Sequence, residues 1–415
     1  MTDTTSEPRA PAPDVAAPTG TTPPPSAAVG AAATAGIAVV ALALLALLSQ
    51  VHGKVAPWGI AGLAVVLGVT AFSGRVTLPA SPLLRHLLIA AVGGALVLVF
   101  SDHVGTFSDF QIAQVAYFVP AVAGLNVLTG HNGQLSLGHG ALMAVGAYTA
   151  AVLMTHQPHV AIVVLLVAAV AVTALVGAVV GVAAARLRGP YLAGATLALA
   201  VALPELATRY RSILGGEQGL SLRTLSSPGW LSPSFPPERW LAWVGIVSGL
   251  VILVLLANLM VSGRGRRWRT VRDDETAASL VGVNVPRTQV NAFVVSAACA
   301  GLGGALYGLA NSLANPAAFT VALSFGLLTA IVVGGVGSLA GSIWGAIALV
   351  YIPHLTNSAS DHYKLGTSVK GNLPLAIYGL VLVGAMLVFP EGIQGGLRRL
   401  GRAIPGLRPR AVERR

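Results

Sequence analysis

Long apolar runs recur along this sequence and leave few folds open to it. A helix needs about 20 consecutive apolar residues to cross a lipid bilayer. Inside the bilayer every backbone polar group has to be hydrogen-bonded within the protein, and a helix achieves this within one segment. We therefore predict an all-α, polytopic integral membrane protein with about 10–12 transmembrane helices. The predicted spans are 31–51, 57–73, 83–101, 109–129, 132–155, 160–185, 190–208, 240–261, 288–310, 319–337, 339–355 and 372–390.

The scarcity of charge supports this class. Charged residues make up 9% of the chain and hydrophobic residues 55%, and the mean hydropathy is +0.78. Soluble proteins carry roughly a quarter charged residues, so a soluble chain with so little charge could not cover its surface. The net charge of +11 could indicate nucleic acid binding. The basic residues concentrate beside the apolar runs, however, which favours membrane topology over a nucleic acid partner.

The basic segments also predict the orientation and the domains. Arginines cluster in the loop 262–287 and follow the last apolar run, and the positive-inside rule assigns both segments to the cytoplasm. Residues 1–28 are rich in Pro, Thr, Ala and Ser, which predicts a disordered cytoplasmic tail. We divide the remainder into N-terminal transmembrane helices (29–105), a transmembrane core that contains the loop (106–397) and a basic cytoplasmic tail (398–415).

The sequence carries no pattern typical of a catalytic or metal site. Cys299 is the single cysteine, and the nine histidines show no H-E-x-x-H spacing, so we predict neither a metal nor a cofactor. The phosphate-binding motif G-x-x-x-x-G-K-[ST] is absent, so the chain is not expected to hydrolyse ATP. Neither paired carboxylates nor a nucleophile elbow points to another enzyme. We predict a protein without an enzymatic activity of its own.

The densest cluster of charge lies at Arg264–Glu275, between two apolar runs. Its three acids precede the helix-forming letters TAASLV, and acids in a first turn suit the positive end of the helix dipole. We predict a helix of about eight residues, with Asp273 as its N-cap and Gly282 as the left-handed residue after its C-terminus. So short a helix needs something to pack on. The loop is either a docking helix for a cytoplasmic partner or a segment that only sets the topology.

A glycine-rich polar stretch at 128–150 interrupts the apolar pattern. Gln134, Ser136 and His139 fall within a predicted span, where polar residues are costly and often functional. Helices that are broken near the middle of the bilayer often form the substrate site of a transporter. The three residues are therefore candidates for a translocation path. The alternative is that they hydrogen-bond neighbouring helices to one another.

Two further features concern packing and the predicted outer surface. Gly337, Gly341 and Gly345 recur every four residues, which predicts one helix face that another backbone can approach closely. At the predicted outer side, Glu205 and Arg209 can pair across one helical turn, and GGEQGL (215–220) predicts a turn. This outer patch is either a contact for an external binding protein or a solvated helix end.

Six motifs stand in order along residues 109–397. They are GLNVLTGHNGQLSLGHGALMAVGAYTAAVL (124–153), RLRGPYLAGATLALA (186–200), GGEQGL (215–220), RTVRDDETAASLVGVNV (269–285), GLGGALYG (301–308) and VVGGVGSLAGSIWGA (332–346). In residues, order and spacing they resemble the LivM-type permease subunits of branched-chain amino acid ABC transporters. Several long motifs together make this resemblance specific, whereas the tail and the first three spans carry much less of it.

The resemblance implies the fold, the task and the partners. It implies an ABC importer permease fold, multi-pass in the bacterial plasma (inner) membrane, with both termini cytoplasmic. Such a subunit moves branched-chain or related amino acids, driven by ATP hydrolysis on separate subunits. Its partners would be a second, LivH-like permease subunit, two cytoplasmic ABC ATPase subunits, an extracytoplasmic substrate-binding protein and membrane lipid, with no nucleic acid. The loop would hold a coupling helix whose ATPase interface includes Arg272, Asp273, Asp274, Glu275, Ala278 and Gly282.

Other transport functions remain open at this point. Related permeases serve urea, short amides or sugars, and no residue of the sequence identifies a substrate pocket. A proton- or sodium-driven secondary transporter is a less favoured alternative, because it would need acidic residues well inside the spans. Glu205 and Asp102 lie near the ends of predicted spans.

Overall fold

The computed structural model describes residues 81–103, 106–187, 190–225 and 236–362, together with the short pieces 376–377, 379–380, 383–384 and 391–396. The predicted tails 1–28 and 398–415 and the predicted spans 31–51 and 57–73 lie outside the described residues. The predicted span 372–390 lies largely outside them.

The described chain is almost entirely helical, as the all-α prediction requires. The helices are α1 (Pro82–His103), α2 (Thr106–Asn126), α3 (His139–His156), α4 (Ile162–Ala184), α5 (Pro190–Arg209), α6 (Arg211–Leu214), α7 (Pro237–Val261), α8 (Gly263–Asp273), α9 (Glu275–Leu280), α10 (Val285–Asn311), α11 (Val321–Gly334) and α12 (Leu339–His362). A π-helical turn, Val127–His131, continues α2, and short 3-10 turns cover Gly216–Gln218 and Pro316–Ala318. Strands β1 (Leu220–Ser221) and β2 (Leu313–Ala314) pair antiparallel.

Six helical segments of the described chain are long and apolar enough to cross a membrane. They are Asp109–His131, Ile162–Ala184, Tyr191–Arg209, Pro237–Val261, Val285–Asn311 and Pro316–Gly334. The protein is therefore a polytopic membrane protein. The predicted total of 10–12 crossings includes spans that lie outside the described residues.

Helix α10 lies at the centre of the bundle and packs against α2, α3 and α4. Glycines at the crossing points let the backbones approach: a Cβ atom on Gly146 would overlap the carbonyl of Gly301, and one on Gly304 would overlap the carbonyl of Met143. In a membrane the lipid is as apolar as the side chains, so close packing rather than the hydrophobic effect holds the helices together. The small residues of α10 thus allow the neighbouring helices to pack closely around it.

The predicted span 132–155 is wrong at its start, because α3 begins only at His139. Gly133 has a φ of +78°, which ends the helix before it. Residues 132–138 then have no helical structure; Asn132, Gln134 and Ser136 are buried, whereas Gly133 and Leu135 are exposed. Their end lies against other helices, since Leu137 N–H donates to Thr196 Oγ1 at 2.9 Å and Gly140 N–H to Ser324 Oγ at 3.0 Å. Helix α3 therefore starts inside the bundle, against α5 and α11.

A buried ion pair joins three helices near their ends. The Asp109 side chain of α2 is fully buried and accepts a hydrogen bond from Arg239 Nε of α7 at 3.2 Å. The Ser101 hydroxyl of α1 donates to the other carboxylate oxygen at 2.8 Å. A buried carboxylate is tolerable when it is paired and hydrogen-bonded in this way. The pair therefore fixes α1, α2 and α7 relative to one another.

Candidate functional site

The arginine-rich segment forms two helices, α8 and α9, at one end of the bundle, which we call the basic end. Helix α8 is capped by Ser262, whose hydroxyl accepts the N–H of Arg264 at 3.2 Å. Its Trp268 and Val271 are buried, and Trp268 Nε1 donates to the carbonyl of Thr288 on α10 at 3.2 Å. These two residues therefore anchor α8 to the bundle.

Helix α9 is capped by Asp274. Its carboxylate oxygen Oδ1 accepts the N–H groups of Thr276 at 2.7 Å and Ala277 at 3.0 Å. The prediction that Asp273 is the N-cap is wrong, because Asp273 ends α8 and pairs with Arg272 instead. The extended backbone of Asp274, with φ −162° and ψ 114°, separates the two helices. The helix is consequently six residues long rather than about eight.

The C-terminus of α9 is closed by Gly282. Its φ is +81°, a conformation that a residue with a Cβ atom adopts only under strain. The Gly282 N–H donates to the Ser279 carbonyl at 3.1 Å, and the Val283 N–H to the Ala278 carbonyl at 3.0 Å. This pair of bonds is the Schellman motif. Both ends of α9 are thus fixed by local hydrogen bonds; the prediction for Gly282 is confirmed, whereas the N-cap lies one residue later than predicted.

The two faces of α9 differ. Ala278 is fully buried, so it packs the helix onto the rest of the chain and is not available to a partner, contrary to the predicted interface. Glu275 accepts a hydrogen bond from Gln289 Nε2 of α10 at 2.8 Å. On the outer side, Leu280 is 83% exposed and Val281 is 73% exposed. Sequence reasoning did not single out these two exposed residues, although apolar side chains in so charged a loop were the available signal.

The Arg272 side chain is partly exposed and also contacts the bundle. Its Nη1 donates to the carbonyl oxygen of Gly130 in the π-helical turn at 2.9 Å. Its Nε and Nη2 donate to Asp273 Oδ1 at 3.1 and 2.8 Å, which orients the guanidinium group. The Arg272 stem also lies against Gly133, where a Cβ atom would come 3.0 Å from Arg272 Cγ. The last arginine of α8 therefore contacts the end of α2 directly.

The π-helical turn is in turn held by Asn126. The N–H of Asn132 donates to the Val127 carbonyl, five residues earlier, at 3.1 Å. The Asn126 side chain accepts the Gly337 N–H at 2.7 Å and donates to the Ser338 carbonyl at 2.8 Å and to Ser342 Oγ at 3.2 Å. Asn126 is fully buried. It joins the end of α2 to the turn between α11 and α12, and sequence reasoning did not find it.

The three candidates for a translocation path are all buried in this structure. Gln134 Oε1 accepts from Asn132 Nδ2 at 3.0 Å. Ser136 Oγ accepts from the N–H of Gly138 at 3.4 Å. His139 Nε2 lies 3.0 Å from the carbonyl oxygen of Ala121 on α2. Each therefore has a partner within the chain and helps to hold the non-helical residues 132–138 and the start of α3.

The glycines at 337, 341 and 345 do not share one helix face, because Gly337 lies in the turn before α12 with a φ of +78°. A Cβ atom on Gly341 would come 2.6 Å from the carbonyl oxygen of Gly334, and one on Gly345 would overlap that of Ala330. These two glycines thus lie where α12 contacts α11. Gly337 serves a different purpose, since its N–H is the one bound by Asn126.

At the end of the bundle opposite the basic end, GGEQGL forms a turn. Gly215, Gly216 and Gly219 all have positive φ values between 67° and 77°. The turn leads into β1, which pairs with β2 after α10. Glu205 and Arg209 lie nearby at the end of α5, and both are exposed. The strand pair gives this exposed loop a defined position on the bundle.

The comparisons with known proteins agree with this architecture. A family model described as "Branched-chain amino acid transport system / permease component" matches residues 107–389. The chain is 32% identical over 291 residues to the high-affinity branched-chain amino acid transport system permease protein LivM of Escherichia coli strain K12, and the match covers 65% of this chain and 66% of that protein. The LivM protein of Salmonella typhimurium is 31% identical over the same shares. The LivH protein of Escherichia coli strain K12 is 30% identical over 203 residues, 47% of this chain and 62% of that protein.

The chain thus spans 66% of the length of each of these LivM relatives. No solved structure matches it. The matched region contains the π-helical turn, α8, α9 and the turn between α11 and α12, which are the elements of the candidate site. The chain belongs to the family of permease components of branched-chain amino acid transport systems.

Proposed function

We propose that this chain is a permease subunit of an ABC importer that moves branched-chain or related amino acids across the plasma membrane. ATP hydrolysis on separate subunits drives the transport, and the chain has no ATPase site of its own. The basic end lies in the cytoplasm, together with both termini. This orientation follows from the arginines of α8, because basic residues beside spans are retained on the cytoplasmic side.

The proposal depends on one observation, namely that α9 has fixed ends and carries exposed apolar residues. The helix is capped at both ends and packed on the bundle through Ala278, and it exposes Leu280 and Val281 at the basic end. Apolar side chains exposed beside arginines are expected at a protein interface. A short helix with fixed ends transmits a displacement without unfolding. We assign this surface to a cytoplasmic ATPase subunit, with Asp274 and Gly282 maintaining the shape of the helix.

Family membership supports the proposed partners. Relatives of both the LivM and the LivH kind match this chain, and these are permease proteins of a branched-chain amino acid transport system. The chain therefore pairs with a second, LivH-like permease. Two ATPase subunits and an extracytoplasmic binding protein complete the assembly. The turn at 215–220 and the end of α5 are the proposed contact for the binding protein, since they are exposed opposite the basic end.

The start of α3 inside the bundle supports a transport role. Helices that are interrupted within a membrane are a common feature of transporter substrate paths. In this chain Gln134, Ser136 and His139 hold that discontinuity. We assign them to the wall of the path, where they keep its shape. Replacing Ser136 with Ala is then expected to raise the KM for uptake while leaving thermal stability nearly unchanged. An unchanged KM would restrict Ser136 to packing.

The proposed interface can be tested by co-purification. Replacing both Leu280 and Val281 with Asp removes the apolar contact and leaves Asp274 and Gly282 in place at the two ends of α9. The control is Ile213→Asp, which changes an apolar residue on α6 at the opposite end whose exposure is 59%. We expect the double variant to insert normally and to lose the ATPase subunits, while the control retains them. Retention of the ATPase subunits by both proteins would contradict the assignment.

A further inference from the structure

Arg272 makes a contact that the other anchors of the segment do not make. Trp268 and Arg269 donate to the carbonyls of Thr288 and Met260, which belong to α10 and α7, the helices that flank the segment in sequence. Arg272 instead reaches the carbonyl of Gly130, 142 residues earlier in the chain. A motion of α8 is therefore passed through this bond to the end of α2, which the loop connections alone would not move.

The recipient of this bond is the π-helical turn, which lies between α2 and the non-helical residues 132–138. Each hydrogen bond of a π-helical turn spans five residues instead of the four of an α-helix. Such turns are often found at functional sites. Converting it to α-helical bonding shifts every following residue by one position along the helix. The next residues, 132–138, lead directly to the start of α3. A change at the π-helical turn therefore displaces the non-helical residues that we assign to the path.

The π-helical turn is also linked to a second pair of helices. Asn126 holds the turn between α11 and α12 through Gly337, Ser338 and Ser342. Gly130 packs so tightly here that a Cβ atom on it would overlap both Asn126 Oδ1 and the N–H of Gly337. The Gly130 carbonyl thus receives Arg272 on one side, while the backbone of Gly130 lies against the α11–α12 turn on the other. One residue connects α8 with α2, α11 and α12.

We infer that Arg272, Gly130 and Asn126 form the link that carries movement of α8 and α9 into the membrane helices, with the π-helical turn as the element that changes. The inference rests on the proposed function, because it presupposes an ATPase that moves α9. Arg272 is a positioning residue in this account: it acts on the transport path through the π-helical turn and touches no substrate. Asp273 orients it, which gives that acid a role within the chain rather than at the ATPase.

The test compares Arg272→Gln with Arg267→Gln in the complete transporter. Arg267 is exposed on the same helix, so its replacement removes the same charge without the Gly130 contact. The variants are reconstituted with the partner permease, the ATPase subunits and the binding protein in lipid vesicles, and amino acid uptake is measured per ATP hydrolysed. Loss of one charge-assisted hydrogen bond is expected to lower this ratio about tenfold in Arg272→Gln, with ATPase co-purification retained. Arg267→Gln keeps the wild-type ratio.

Two further variants change the partners of Arg272 instead of Arg272 itself. Asp273→Asn keeps Arg272 but orients it less well. Because the Asp273 side chain is 65% exposed, this replacement is not expected to impair folding. It is expected to lower the ratio about threefold, in line with the loss of an exposed ion pair. Gly130→Ala changes the π-helical turn and leaves the residues of α8 and α9 as they are. It is also expected to lower the amount of amino acid taken up per ATP hydrolysed. A wild-type ratio in both Arg272→Gln and Asp273→Asn would overturn the inference.

The outcomes separate this inference from the proposed function. If Arg272→Gln loses the ATPase subunits, Arg272 belongs to the docking surface, so the link is refuted while the permease assignment stands. If the wild-type chain itself binds no ATPase subunit, the proposed function fails before the variants are compared. Retained binding with a lowered ratio in Arg272→Gln supports both.

Discussion

The Asp274 carboxylate accepts the N–H of Thr276 at 2.7 Å, and this contact defines where α9 begins. It divides the charged segment into two helices with different tasks. Helix α8 is fastened to the bundle through Trp268, whereas α9 exposes Leu280 and Val281. A cap at Asp273, as predicted, would have placed the break between the two helices one residue earlier.

Removing the cap is expected to loosen α9. Replacing Asp274 with Ala leaves the N–H groups of Thr276 and Ala277 without their acceptor and costs about 1 kcal/mol. Asp274→Asn is the matched control, because asparagine caps a helix about as well as aspartate. Hydrogen exchange of residues 274–283, followed by mass spectrometry, is expected to speed up about fivefold in the Ala variant only. Equal exchange in both variants would mean that the cap contributes nothing.

Gly282 is expected to tolerate side chains according to their backbone preference rather than their size. No atom lies within 4 Å of the position that its Cβ would take, so the cost comes from the φ of +81°. Gly282→Ala is expected to destabilise α9 by about 1 kcal/mol and to weaken ATPase binding up to about fivefold. Asparagine adopts this conformation more readily, so Gly282→Asn is expected to bind more tightly than the Ala variant. The reverse order in a binding titration would contradict this explanation.

Glycines at helix crossings are expected to be intolerant where backbones touch. A Cβ on Gly146 of α3 would overlap the Gly301 carbonyl of α10, whereas one on Gly194 of α5 meets no atom within 4 Å. Gly146→Ala should therefore lower the melting temperature in detergent. Gly194→Ala should leave it unchanged or raise it, because alanine is favoured over glycine in a helix by about 1 kcal/mol. Equal tolerance at both positions would refute the close packing of α3 on α10.

The sequence predicted the elements of this fold better than the contacts between them. The spans between 83 and 355 correspond to helices apart from 132–138 and the two ends of 319–337, because length and hydropathy are local properties. The turn role of Gly282 is likewise local. The roles of Asn126 and Arg272 could not be predicted, since their partners lie 211 and 142 residues away. Ala278 and Gly337 were assigned wrongly because burial and the exact start of α12 depend on tertiary packing.

The buried pair of Asp109 and Arg239 is expected to contribute strongly to stability. Replacing Asp109 with Asn leaves Arg239 beside a neutral partner in a buried position, and removing one member of a buried ion pair costs about 3 kcal/mol. Glu205→Gln provides the control, because Glu205 is exposed at the end of α5 and its replacement is expected to change stability by less than about 0.5 kcal/mol. Unfolding by denaturant in detergent measures both. Similar midpoints for the two variants would contradict a structural role for the pair.

The most direct test of the permease assignment is amino acid uptake into lipid vesicles, with and without the ATPase subunits. Vesicles that contain this chain, a LivH-like permease, both ATPase subunits and the binding protein are compared with vesicles that contain this chain alone. Our account predicts uptake of branched-chain amino acids that requires ATP in the complete assembly, and no uptake by the chain alone under an imposed proton or sodium gradient. Gradient-driven uptake by the chain alone would contradict it.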